Sequence, residues 1–172
     1  METTTTTWAY DDMGRLTDEV IDHWDNNFDQ TESYEYDLTG NRVALDRDLG
    51  NNSSIDESVE YRYDANDRLF AELSDASADT TTIYLYDQTQ QTAKTAYTAL
   101  LDDTTVNALA AEGSDSAQQR VSSQSFTYNL QGRMNQAVVE DYDGSGNLQT
   151  RTRSTYEYDR RSFRVGQTVE NW

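Results

Sequence analysis

Apolar and polar residues alternate along most of this chain, and the alternation is interrupted again and again by one short turn sequence. The first copy reads Trp8-Ala-Tyr10-Asp11-Asp-Met-Gly14-Arg15-Leu16, and the second Tyr34-Glu-Tyr36-Asp37-Leu-Thr-Gly40-Asn41-Arg42-Val43. Then come Tyr61-Arg-Tyr63-Asp64-Ala-Asn-Asp67-Arg68-Leu69 and Tyr84-Leu-Tyr86-Asp87-Gln-Thr-Gln90. The last two are Phe126-Thr-Tyr128-Asn129-Leu-Gln-Gly132-Arg133-Met134 and Tyr156-Glu-Tyr158-Asp159-Arg-Arg-Ser162-Phe163-Arg164-Val165. From Tyr10 the second Tyr recurs after 26, 27, 23, 42 and 30 residues, and ten of the twelve Tyr residues lie in these motifs. Internal repetition of this kind decides the fold before any local propensity does.

Period-two alternation puts both aromatics of each aromatic-x-Tyr pair on one face of a strand, with the residue between them on the other. Those intervening residues include Glu35, Arg62, Thr127 and Glu157, all polar. Asp-x-x-Gly then predicts a type I turn closed by a left-handed residue, a hairpin connection that carries a bulge. Return strands follow, with Leu16 and Val20, Val43 and Leu45, Leu69 to Leu73, Met134 and Val138, and Val165 and Val169 as their apolar positions. Each repeat is thus strand, tight turn, strand. Asp67, Gln90 and Ser162 stand where Gly is expected, and no Arg-aliphatic pair follows Gln90, so the fourth copy looks degenerate. The polar stretches 48–58 and 75–82 read as loops. A longer insertion, 98–125, holds Asp103, Ala- and Leu-rich sequence and Gly113, which predicts a short helix over 104–112 followed by a loop from Ser114 to Ser125.

Composition narrows the interior and the partners. Only 35% of the 172 residues are hydrophobic, while Tyr, with its apolar ring and polar tip, suits a thin or damp sheet interior. The formal net charge of −19 repels phosphate backbones and anionic membrane surfaces, so neither nucleic acid nor membrane insertion is expected. Lys94 is the one lysine, and an acidic surface so poor in lysine suits a salty medium, where self-repulsion is screened. Cysteine is absent, which excludes disulfides and thiolate chemistry. No apolar run is long enough for a signal peptide or a membrane helix.

The repeated motif resembles the YD-repeat (RHS-repeat) family, whose members include bacterial RHS proteins, shell components of insecticidal toxin complexes and the animal teneurins. The resemblance runs from Trp8 to Val169. It implies an all-β fold in which antiparallel hairpin repeats form a spiralling, curved sheet, an open or partial β-shell. Residues 1–172 then form a single segment of a longer protein, with repeats near 8–20, 34–47, 61–73, 84–97, 126–139 and 156–169. The resemblance also implies a non-enzymatic structural role, outside the cell or on its surface. Neighbouring repeats of the parent chain are the expected partners, and an encapsulated domain or a surface glycan are further ones. The proline-containing self-cleavage motif of toxin-bearing shells has no counterpart, because the chain has no proline.

The residues expected to build the repeats are Tyr10, Asp11, Gly14, Arg15, Tyr34, Tyr36, Asp37, Gly40, Arg42, Tyr61, Tyr63, Asp64, Arg68, Tyr84, Tyr86, Asp87, Phe126, Tyr128, Gly132, Arg133, Tyr156, Tyr158, Asp159 and Arg164. Their Tyr rings are expected to pack across strands, and their Arg residues to pair with motif Asp or neighbouring acids. Asp141, Asp143 and Ser145 space oxygens like the start of a calcium loop, but Thr152 stands where the closing Glu belongs. A turn rich in Asp, Gly and Asn explains the segment better, and no cofactor is expected beyond weak calcium binding. His23 is the single histidine and is expected at the surface, and no pair of carboxylates stands out for hydrolysis. Two readings compete with the shell wall. One is a self-assembling fibre or coat that pairs through open β-edges; the other is an adhesion or glycan-binding module.

Overall fold

The computed structural model of the chain describes residues 2–76, 78–112 and 120–172. They form two compact units, Met1–Asp79 and Thr80–Trp172. The first unit contains β1 (Thr5–Tyr10), β2 (Leu16–Asp22), a 3-10 turn (Asn26–Phe28), β3 (Gln30–Tyr36), β4 (Arg42–Leu49), β5 (Glu57–Tyr63) and β6 (Leu69–Ser74). Each strand pairs antiparallel with the next. The second unit contains β7 (Thr80–Tyr86), β8 (Gln91–Tyr97), α1 (Asp103–Glu112), β9 (Arg120–Tyr128), β10 (Met134–Tyr142), β11 (Leu148–Tyr158) and β12 (Arg164–Asn171), with the same pairing in sequence order. The fold is all-antiparallel β with one short helix, as the alternation and turn spacing predict.

Every motif turn closes a hairpin, and every one has a register shift at its second Tyr: Tyr10, Tyr36, Tyr63, Tyr86, Tyr128 and Tyr158. The residue that ends the turn has positive φ in five of these copies, at Gly14, Gly40, Asp67, Gly132 and Ser162. This is the bulged hairpin expected from Asp-x-x-Gly. The fourth copy differs. Asp87 N–H donates to the Gln90 carbonyl, so its turn is one residue shorter than that of Asp11 to Arg15, and Gln90 has no need of a left-handed backbone. It still closes β7 onto β8, so the sequence understates it.

Some boundaries move. Leu49 ends β4, Glu57 begins β5 and Thr80 begins β7, so the intervening loops are shorter than the polar stretches suggest. Likewise β9 begins at Arg120, because residues 122–125 pair with β8. Of the loop expected from Ser114 to Ser125, residues 114–119 lie outside the described residues. The helix begins at Asp103, and Asp102 rather than Asp103 caps it, its carboxylate accepting from the N–H and the hydroxyl of Thr105 at 3.0 and 2.9 Å.

Among the described residues the buried apolar side chains are few. They are Leu45, Val59, Ala71 and Leu73 in the first unit, and Ile83, Tyr97, Leu101, Val106, Leu109 and Val138 in the second. Helix α1 lies against β7 and buries Val106 and Leu109. Thr81, wholly buried on β7, fastens the entry to the helix: its hydroxyl donates to the Ala99 carbonyl at 2.7 Å and accepts from the Leu101 N–H at 3.0 Å. Thr81→Val keeps the volume and strands both backbone groups. It should cost about 2 kcal/mol in urea unfolding, and Thr81→Ser, which keeps the hydroxyl, distinctly less.

Candidate functional site

The motif Asp builds its own turn. One carboxylate oxygen of Asp37 accepts from the N–H groups of Thr39, Gly40 and Asn41 at 2.8–2.9 Å. Asp11 holds Met13 and Arg15, Asp64 holds Asn66 and Arg68, Asp87 holds Thr89 and Gln90, and Asp159 holds Arg161 and Phe163. In the fifth copy the amide oxygen of Asn129 does the same for Gln131 and Arg133. Accepting several N–H bonds favours the charged form. Desolvation opposes this at Asp37, but the bonds from Thr39, Asn41 and Gly40 prevail and hold it at about 2. Bonds from the Arg15 backbone and side chain lower Asp11 below the usual carboxylate range, and those from Arg68 lower Asp64.

The second Tyr of a repeat reaches back to the repeat before it. The Tyr36 hydroxyl donates to the Leu16 carbonyl at 2.8 Å, and Tyr63 to Arg42 at 3.0 Å. Tyr128 donates to Gln91 at 2.8 Å, and Tyr158 to Met134 at 2.7 Å. The acceptor is always the first residue of the preceding return strand. Nothing in the motif's local alternation signals this bond; only the constant Tyr position across repeats hints at it.

Arginines stack on several of the motif rings. Arg15 sits 4.7 Å from the Tyr36 ring centre and Arg133 5.0 Å from that of Tyr158, each reaching the next repeat. Arg42 lies between two rings, 5.7 Å from Tyr34 of its own repeat and 4.6 Å from Tyr61 of the next. Arg164 lies 5.4 Å from Tyr156 of its own repeat, and Lys94 5.4 Å from Tyr84. Arg15 and Arg68 also pair with their own Asp11 and Asp64, at 2.6 and 2.7 Å. Arg42 and Arg164 stand one residue later than those two, counted from the motif Asp, and they stack instead. Turns touch as well: Arg15 donates to the Asp37 carbonyl, Asn41 to Asp67, and Gln90 to the Gly132 carbonyl at 2.9, 3.0 and 2.7 Å. A Cβ at Gly132 would lie 2.9 Å from that Gln90 amide, the tip of a flexible side chain that can shift aside, so it is the positive φ that calls for glycine there.

A polar row crosses the tyrosine face of the first unit. Trp8, Glu19, Glu32, Arg47 and Glu57 stand opposite one another on β1 to β5. Arg47 bridges Glu32 and Glu57 at 2.8 and 2.7 Å, and Trp8 donates to Glu19 at 3.1 Å. Tyr34 donates to Glu32; burial first, and then this bond to a carboxylate, push its phenol up to about 12. Phe126 faces Ala137 across β9 and β10.

Asp141, Asp143 and Ser145 belong to a seventh copy that is easily missed. Tyr142-Asp143-Gly-Ser-Gly146-Asn147-Leu148 matches Tyr-Asp-x-x-Gly, with the Asp143 carboxylate accepting from Ser145 and Asn147, positive φ at Gly146 and a register shift at Tyr142. Its turn lies at the opposite end of the strands from those of Asn129 and Asp159, and alternation puts Tyr142 on the opposite face from Phe126 and Tyr156. Asp141 accepts from the Thr150 hydroxyl at 2.7 Å. Among the described residues no group of three or more His, Asp or Glu is placed to hold a metal ion. On that opposite face Arg120 stacks 4.1 Å from Tyr142. Leu148, Gln149, Arg151, Arg153 and Trp172 line an open cleft of about 490 Å³, with Glu140 and Glu170 each 3.3 Å from one of its arginines. His23 is half-buried rather than fully exposed, and lies against Trp24 and Phe28.

Two predictions follow from the turn chemistry. The carboxylates of Asp11, Asp37, Asp64 and Asp143 are lowered, so their stabilisation is present above the unfolded value of 3.8 and is lost as pH falls through their folded values, about 2 at Asp37. The phenols of Tyr34, Tyr61, Tyr63, Tyr128 and Tyr142 are raised, so theirs is present below 10 and is lost as pH rises towards about 12. Urea midpoints measured against pH at fixed salt should therefore fall at both extremes. A midpoint that climbs steadily below pH 4 would show instead that relief of self-repulsion dominates. Ser162 has φ of 74°, and Ser162→Gly should raise stability by roughly 1 kcal/mol.

No protein-family model matches the chain, and no curated protein matches it in sequence. Solved structures do. A Tc holotoxin pore of Photorhabdus luminescens, carrying a point mutation in TccC3, superposes with a TM-score of 0.65 at 17% identity, over 98% of this chain and 8% of that one. TcdB2-TccC3 without its hypervariable C-terminal region superposes with a TM-score of 0.54 at 14% identity, over 96% of this chain and 9% of the other. This chain thus spans less than a tenth of either. It has the fold found in these toxin-complex structures, built on the repeated motif by which it resembles the YD-repeat family.

Proposed function

We propose that the chain is a non-enzymatic segment of β-shell wall in an extracellular or secreted protein. The observation that carries this reading is the Tyr hydroxyl bond to the preceding repeat, made four times with the same geometry. The conspicuous motif side chains are spent on holding one repeat to the next. The motif carboxylates are occupied by their own turns, so they are poor candidates for acid–base work or for calcium. Likeness of fold to Tc toxin structures agrees with a wall, and neighbouring repeats of a longer chain are then its partners.

Tyr63→Phe and Tyr158→Phe each remove one such bond and should each cost about 1 kcal/mol. The same variants and the parent chain should retain nothing on a glycan array. A saccharide that binds the parent and is lost with either Tyr would turn the reading to adhesion. A second reading, assembly through sheet edges, has its own support: Trp8 and Tyr10 on β1, and Val165 and Val169 on β12, are more than half exposed.

A further inference from the structure

Two acceptor sequences for N-linked glycosylation overlap in the connection between β4 and β5: Asn51-Asn52-Ser53 and Asn52-Ser53-Ser54. The structure treats the two asparagines differently. Asn51 is spent on holding the loop. Its side-chain oxygen accepts from the Thr31 hydroxyl at 2.6 Å, its side-chain nitrogen donates to the Ile21 carbonyl at 3.2 Å, and the residue is half-buried. Asn52, Ser53 and Ser54 are exposed. The Asn52 side-chain oxygen accepts from the Ser54 N–H at 3.0 Å, an Asx turn that folds Ser54 back onto the amide. The amide nitrogen of Asn52 makes one long bond, 3.4 Å to the Leu49 carbonyl, which leaves one of its two hydrogens uncommitted among the described residues.

The loop is built to hold this residue at the surface. Asp48, itself buried, accepts from the N–H groups of Asn52 and Ser53 at 2.9 and 2.6 Å, and Asp56 from that of Leu49 at 2.7 Å. Gly50, Asn51 and Ser53 all have positive φ, at 91, 49 and 68°. Two non-glycine residues kept in left-handed backbone within three positions are strained, and the bonds around them maintain the strain. Gly50 also donates to the Asp29 carbonyl of the preceding loop at 2.7 Å. Trp24 and Phe28 in that loop, and Leu49 and Ile55 in this one, are each more than half exposed. A glycan rooted at Asn52 would stand among apolar side chains that the protein itself leaves uncovered.

We propose that Asn52 is the acceptor of an N-linked glycan, carried at this end of the first unit. The proposal rests on the reading of the protein as extracellular, because this modification belongs to surface loops of secreted proteins. In the transfer, Nδ2 of Asn52 attacks the anomeric carbon of a lipid-linked oligosaccharyl pyrophosphate. A C–N bond forms as the C–O bond to pyrophosphate breaks, the lipid pyrophosphate leaves with the bonding electron pair, and the proton lost by Nδ2 passes to a base of the transferase. Ser54 completes the acceptor sequence, and the Asx turn keeps it beside the reacting amide.

The test offers the purified, folded chain to a solubilised oligosaccharyltransferase with its lipid-linked donor, beside a short Asn-x-Thr peptide that reports the activity of the enzyme. Intact mass should rise by that of one glycan, and peptide mapping should place it on Asn52. Asn52→Gln and Ser54→Ala should each abolish the gain, and Ser54→Thr should keep it. Asn51→Gln should leave it unchanged. So should Ser53→Gly, which spoils only the Asn51 sequence and suits the positive φ. Urea midpoints equal to that of the parent will show that the variants at the exposed Ser54 are folded. A chain left unmodified while the peptide is glycosylated, a glycan on Asn51, or a gain that survives Ser54→Ala would each overturn the proposal. The reaction runs outside any cell, so such a failure counts against Asn52 and not against the shell wall, which the Tyr63 and Tyr158 variants test.

Discussion

A carboxylate oxygen collecting two or three backbone N–H groups is the constraint on which the rest of this structure depends. It holds the few residues after the motif Asp in one conformation, and that conformation forces the bulge at the preceding Tyr. The bulge in turn sets where the Tyr hydroxyl points. Were the turn looser, Tyr36 and Tyr158 would have no fixed line to the carbonyls of Leu16 and Met134. Local turn chemistry is thereby converted into contact between repeats some twenty-five residues apart in sequence.

That conversion suits a chain with little to bury. A sheet whose buried apolar side chains are as few as Leu45, Val59, Ala71 and Leu73 gains modestly from the hydrophobic effect. Tyrosine makes up part of the difference, since its ring covers the sheet while its hydroxyl finds a backbone acceptor. Arginine flattened on those rings adds attraction without asking for a deep interior, and keeps its outer edge in water. The arrangement tolerates a high negative charge because many of the acids already hold N–H groups, guanidinium groups or hydroxyls.

Strand order and hairpin type were legible because they depend on local rules: alternation, Asp at the start of a turn, and a left-handed residue at its end. The helix was legible for the same reason, though its cap was displaced from Asp103 to Asp102 because either aspartate satisfies the pattern. What the sequence concealed was whatever depends on a partner distant along the chain. The stacking of Arg42 between Tyr34 and Tyr61 looks, in one dimension, like an ion pair waiting for an acid. The copy at Asp143 was hidden by expectation, since it falls half a period out of step and resembles a calcium loop. The fourth copy seemed degenerate only because a turn one residue shorter does without glycine.

The connection between β8 and β9 has a consequence of another kind. It is the longest in the chain and includes α1, yet Ala93 still faces Ser125 in the register kept by the other joins. Strand pairing here is thus indifferent to what is spliced in at that end, whereas the opposite end is held residue by residue. Such a scaffold offers evolution a free margin and a fixed one. Along the free margin, new sequence can be tried and discarded while the surrounding wall stays as it was.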